Sequence, residues 1–233
     1  MLIISIMTSV LRHANTGVSI QDLRCFLCDC AKTADAPHVV SVGSGTGCYE
    51  FEMTDGLDDL RARLILVDPH PDSFRQFAKS TRELAPHAAT TAELVAARPG
   101  VVGHCVVVLL WPSPHAETAY DLTAIDELKP LGIIILYDKP IHASAAAAAG
   151  SPGLHARLLH EPAQMDYKRI VEARYRALYE EDDYQLMLMF DANASRKRDI
   201  RLAWFAKRGA SIPRYRLSEA VKERMEKRGL WKD

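Results

Sequence analysis

The stretch Val39-Val-Ser-Val-Gly-Ser-Gly-Thr-Gly-Cys-Tyr-Glu50 constrains this chain more than any other. A short apolar β-forming run ends abruptly in Gly43-Ser44-Gly45-Thr46-Gly47, and an amphipathic segment follows to about residue 63. A buried parallel strand, a glycine turn and an opening helix is the physical reading. Glycine there permits positive φ and lets the backbone approach a ligand with no Cβ in the way. The next apolar run, residues 64–67, ends in Asp68, 25 positions beyond Gly43. Strand, glycine turn, helix, strand and acid together form a frame suited to a dinucleotide or nucleoside, with the carboxylate on its ribose hydroxyls.

The spacing of the glycines separates these two ligand types. A dinucleotide fingerprint reads G-x-G-x-x-G, and its third glycine allows close helix packing beside a pyrophosphate. Here the pattern is G-x-G-x-G, with Cys48 where that last glycine would fall. In this the chain resembles the class I S-adenosylmethionine-dependent methyltransferases. Gly43, Gly45, Gly47 and Asp68 match the family's two cofactor motifs residue by residue, and Glu50 approximates an acid that often follows the glycines. The resemblance implies S-adenosylmethionine as cofactor, held by Val42, Gly43, Ser44, Gly45, Thr46, Gly47, Asp68, Pro69 and Trp111. Losing the Asp68 carboxylate should then cost cofactor affinity and little stability.

Reading onward, residues 1–11 and 19–32 suggest helices, strands fall at 38–42 and 64–67, and helices at 49–62 and 72–84. A weak strand at 87–90 leads to a short helix over 92–97, capped by Thr90 or Thr91 and ended by Pro99-Gly100. The run 105–110 is continuously apolar, as a parallel strand covered on both faces should be. A helix over 115–128, a strand over 133–137 and helices near 153–160 and 166–180 follow. Segments 184–190 and 199–205, joined by a polar connection, read as an antiparallel hairpin. The expected fold is α/β: a doubly wound, mostly parallel seven-stranded sheet closed by that hairpin. The family resembled ends in the same way, whereas pyridine-nucleotide domains usually lack the hairpin. The chain divides into a helical leader (1–37), a methyltransferase-like domain (38–208) and a basic helical tail (209–233).

Ligands of doubly wound sheets lie beyond the carboxyl ends of the strands. That edge would collect the glycine turn, Asp68, Trp111 to Pro114 and Asp138 to His142. Several amino and nucleobase methyltransferases carry Asn or Asp followed by Pro-Pro-aromatic after the fourth strand. Leu110-Trp111-Pro112-Ser113-Pro114 departs from that pattern, which leaves the acceptor open among small molecules, protein and RNA. By location the candidates for proton removal are His115, Asp138 and His142. Two other readings stand beside this one. A non-catalytic methyltransferase-like subunit is favoured by the departure after the fourth strand. An NAD-dependent oxidoreductase is disfavoured by Cys48 and the hairpin.

Composition bounds the rest. No apolar run reaches the roughly 18 residues that cross a bilayer, and the apolar start lacks the basic segment of a signal peptide. The five cysteines are an odd number, which suits a reducing compartment, cytoplasmic or nuclear. Cys25, Cys28 and Cys30 form C-x-x-C-x-C without an evident fourth ligand nearby, so they are read as thiols and no metal is expected. Residues 196–233 hold 13 Lys/Arg against 5 Asp/Glu, although the chain's net charge is only -1. Such a tail suits either a solvated helix or a nucleic-acid contact.

Overall fold

The computed structural model describes residues 20–32, 35–72, 82–110, 112, 120–138, 157–158, 162–174 and 200–211. Its strands are β1 (His38–Val42), β2 (Leu64–Val67), β3 (Cys105–Leu110), β4 (Gly132–Asp138), β5 (Tyr167–Arg174) and β6 (Ile200–Lys207). Its helices are α1 (Ile20–Ala31), α2 (Cys48–Thr54), α3 (Asp58–Arg61), α4 (Thr91–Ala97) and α5 (Tyr120–Leu128). The strands form one sheet in the order β2-β1-β3-β4-β6-β5. The first four run parallel, and β6 inserts antiparallel between β4 and β5.

Side-chain alternation along each strand feeds two cores. On one face Val39, Leu66, Val106, Ile134 and Trp204 meet Leu23, Phe26 and Leu27 of α1, with Met53 and Leu60. The Phe26 ring lies 4.1 Å from the Trp204 ring, so α1 is packed on the sheet itself. The other face joins Val40, Ile65, Val107, Ile135 and Phe205 to Leu94, Ala124 and Leu128 of the facing helices. Both sides of β3 are therefore covered, which is why its six residues are all apolar and all buried.

Local chemistry explains the element ends. The expected helix over 49–62 is two short helices, because Asp55 turns to extended backbone and Gly56 takes φ 69°. Arg24 of α1 donates to the freed Asp55 carbonyl. The Thr90 side chain accepts from the Glu93 N–H and starts α4.

Two expectations change. The segment 87–90 makes a single bridge, Val67 to Ala88, so the described residues hold six strands. His87 occupies the open edge of β2 instead. Its N–H donates to Leu66 O (2.8 Å), and its Nδ1 accepts from Leu66 N–H (3.1 Å). Partial burial and the Arg98 charge lower the imidazole pKa, which keeps Nδ1 an acceptor.

The second change concerns β6. Its outer neighbour is β5, within the region expected as a helix over 166–180. Lys, Arg, Glu and Ala in this stretch have good helix propensity. The pairing needs of β6 override it, since a buried strand leaves no backbone group unbonded. Tyr167 anchors the start of β5 by donating from its hydroxyl to Pro130 O (2.8 Å), and a bulge at Arg169/Val171 resets the register. The expected strand at 184–190 lies outside the described residues, as do the segment 1–11 and the tail beyond 211.

Candidate functional site at the glycine turn

The turn after β1 is built from three left-handed glycines: Gly43 (φ 72°), Gly45 (φ 55°) and Gly47 (φ 71°). Each angle strains a residue that carries a Cβ. At Gly47 space forbids one as well, because a Cβ would stand 2.4 Å from Leu84 O. The segment around Leu84 is held there by its own N–H, which donates to Thr46 O (3.3 Å). Beside Gly43 lies the ring of Tyr120, 3.3 Å from where a Cβ would be. The turn is also tied to β2, since Gly43 N–H donates to Val67 O (2.9 Å).

Asp68 follows β2 directly and is only 8% exposed. Oδ2 accepts from Gly45 N–H and Oδ1 from His70 N–H, each at 2.7 Å. The acid thus holds the glycine turn against the end of β2. Each carboxylate oxygen has a second lone pair, so both keep acceptor capacity for hydroxyls. Pro69 is exposed next to it, and Val42 is buried as the last residue of β1.

Underneath the turn is a second carboxylate, Glu50, in the first turn of α2 and 1% exposed. Its Oε1 accepts from the Ser41 hydroxyl at 2.6 Å. Its Oε2 and the Ser44 hydroxyl are buried with no hydrogen-bond partner among the described residues. Burial pushes the Glu50 pKa up to about 7. The Ser41 bond and the residue's own N–H oppose the rise, and the Asp68 charge adds to it. A carboxyl that binds its proton more tightly when folded loses stability as pH rises from its unfolded value to its folded one. We expect unfolding free energy to fall by about 3 kcal/mol between pH 4.5 and 7, because each tenfold gain in proton affinity is worth about 1.4 kcal/mol. Glu50→Gln should remove this slope in denaturant titrations followed across that range. An unchanged slope would show that Glu50 does not titrate there.

Of the residues expected from the sequence, the structure gathers Val42, Gly43, Ser44, Gly45, Thr46, Gly47, Asp68 and Pro69 around one turn. Asp138 ends β4 at the same edge, opposite Ile200 in register. Trp111, His115 and His142 lie outside the described residues. Sequence reasoning missed Tyr120, although an aromatic opening the helix that follows β3 is a signal in the sequence. Cys25, Cys28 and Cys30 of α1 are exposed, half-buried and buried respectively. Among the described residues no three His, Cys, Asp or Glu side chains gather as a metal site would require.

No protein-family model and no curated protein matches the chain. Solved structures do. The methyltransferase domain of bacterial CtHen1 is 9% identical, with 80% of this chain and 98% of that one covered and a TM-score of 0.44. The 16S rRNA methyltransferase KamB is 16% identical, with coverage of 75% and 89% and a TM-score of 0.40. A methyltransferase from Thiobacillus denitrificans, in complex with S-adenosyl-L-homocysteine, is 13% identical, with coverage of 81% and 91% and a TM-score of 0.36. Likeness at this level assigns neither substrate nor residue role to the chain. The fold assignment rests on the strand order. Parallel β2-β1-β3-β4 followed by antiparallel β6 inside β5 is the methyltransferase-like Rossmann arrangement.

Proposed function

We propose that this chain is an S-adenosylmethionine-dependent methyltransferase. The observation that carries the reading is the Asp68 carboxylate hydrogen-bonded to Gly45 N–H inside a left-handed glycine turn at the carboxyl edge of the sheet. The turn fits such a cofactor in two respects. Its left-handed glycines keep Cβ atoms off the turn, and the Ser44 hydroxyl between Gly43 and Gly45 has no hydrogen-bond partner among the described residues. Asp68 would accept from the two ribose hydroxyls, and the glycine turn would support the methionine portion.

When bound, this cofactor supplies a methyl group already activated by its sulfonium, so alignment accounts for much of the rate. The chain's own task is then to hold donor and acceptor in line and to exclude water. A base is needed only for an acceptor that starts protonated. Asp138 at the end of β4, with His115 and His142 by their place in the sequence, are our candidates for it, and Trp111 for a wall of the site. Among the described residues no helix is long and apolar enough to cross a membrane. We place the enzyme in the cytoplasm or nucleus, a reading supported by cysteines that are all free. Small molecules, protein and RNA are all retained as acceptor classes.

Calorimetry provides the test. S-adenosylhomocysteine should bind more tightly than NAD, because the glycine spacing and the β5–β6 pair both disfavour a dinucleotide. Tighter NAD binding would overturn the assignment. Cofactor binding without methyl transfer across an acceptor screen would identify a non-catalytic subunit of the same fold.

A further inference from the structure

The strand order reverses between β1 and β3, since the chain steps from β1 to β2 on one side and returns to lay β3 on the other. Ligands of open α/β sheets sit in the crevice outside the carboxyl ends of such a pair. From β1 this crevice receives the glycine turn, and from the β3 side it receives Tyr120, the first residue of α5. α5 runs back along β3, because its last residue, Leu128, accepts from Gly103 N–H (2.8 Å) just before β3 begins. The helix therefore opens at the carboxyl edge. Helical spacing puts Tyr120, Ala124 and Leu128 on one stripe. Ala124 and Leu128 are buried in the core, whereas Tyr120 at the head of the stripe is half-buried. Its ring reaches the turn: Cε2, Cζ and the hydroxyl oxygen stand 3.3, 3.6 and 3.5 Å from where a Cβ on Gly43 would be. Gly43 N–H donates in turn to the carbonyl of Val67, the neighbour of Asp68. Asp68, Gly43 and Tyr120 thus follow one another across the carboxyl edge, from β2 past β1 to α5.

An aromatic at the head of a helix often does no more than fill the end of a core. The far end of this ring, however, is set against Gly43, a left-handed glycine of the very turn assigned to the cofactor. We infer that Tyr120 is a cofactor-binding residue whose ring walls the part of the ligand beyond the ribose. The inference rests on the cofactor reading above and deepens it by naming the residue on the β3 side of the crevice. A ribose held on Asp68 with its 5′ substituent crossing the glycine turn brings that substituent to the ring. In S-adenosylmethionine and S-adenosylhomocysteine the 5′ substituent begins with sulfur. Sulfur packs favourably at the edge of an aromatic ring, a contact worth up to about a tenfold gain in affinity. Adenosine ends at the ribose, so Tyr120 contributes nothing to its binding.

The test measures the full chain by calorimetry with S-adenosylhomocysteine, and with adenosine by displacement. Tyr120→Leu keeps an apolar group at the head of the stripe but removes the ring. It should weaken S-adenosylhomocysteine binding about tenfold and leave adenosine unchanged. Tyr120→Phe retains the ring and should bind both ligands as wild type does. A role in holding the turn alone predicts otherwise, because Asp68 accepts from Gly45 N–H and a displaced turn would take the ribose acid with it. Both ligands would then lose affinity together. Tyrosine-ring NMR gives a reading on wild-type protein, and it decides the matter should the leucine variant fail to fold. Of the eight tyrosines, the signal missing from Tyr120→Phe should shift with S-adenosylhomocysteine and stay in place with adenosine. Equal losses for the two ligands, an unaffected leucine variant, or a Tyr120 signal that does not distinguish them overturns the assignment of Tyr120 alone. A wild-type chain that binds no S-adenosylhomocysteine overturns the cofactor reading and this inference together.

Discussion

Asp68→Ala is expected to weaken S-adenosylhomocysteine binding by about 2–4 kcal/mol, the cost of two charge-assisted hydrogen bonds. Calorimetry on the folded variant measures it. The sequence by itself suggests that stability would hardly change, because the acid reads there as a ligand group alone. In the structure its two oxygens also accept from the N–H groups of Gly45 and His70. A melting temperature reduced along with affinity is therefore the expected result. Asp68→Asn keeps one acceptor oxygen and should fall between wild type and alanine in both measurements. An alanine variant with reduced stability and unchanged affinity would show that Asp68 serves the turn and not the cofactor.

Gly47→Ala should be the most destabilising single change at the turn. The left-handed angle costs a residue with a Cβ about 1–2 kcal/mol, and forcing an atom into filled space adds about 1–3 kcal/mol. The obstructing atoms are Leu84 O at 2.4 Å and Leu66 Cδ2 at 2.9 Å. Gly56 is the natural control. It has a similar φ of 69°, but nothing lies within 4 Å of its Cβ position. Gly56→Ala should thus show the conformational cost alone. A chain of this size loses about 2–4 °C of melting temperature per kcal/mol, so the two variants should differ by several degrees. Equal melting temperatures would mean that the Leu84 segment does not sit against the turn.

The glycine turn and its acid were legible because their signals are local. A run of β-branched residues broken by three alternate glycines admits few backbone paths, and the acid closing the next apolar run falls in register with them. The cap at Thr90 and the continuous burial of β3 were readable for the same reason. Glu50 was visible as an acid near the glycines. Its surroundings were not, since Ser41 lies nine positions away and meets it only once α2 has folded back over β1.

Residues 167–174 illustrate where local signals mislead. Lys168, Arg169, Glu172 and Ala173 are good helix formers, yet they form a strand because the outer edge of β6 needs backbone partners. Propensity differences of tenths of a kcal/mol yield to a ladder of hydrogen bonds that spans the strand. The reverse occurs at 87–90, where a histidine ring supplies an acceptor that a seventh strand would otherwise provide. The sequence alone determined the parallel strands β1 to β4, the left-handed turn and the acid beside it, because each depends on residues close in the chain. Only the tertiary structure decided which strand pairs with β6 and that Glu50 is buried beneath the turn against Ser41. Those outcomes depend on contacts between segments far apart in sequence, and their free energies appear only when the sheet closes over its two cores.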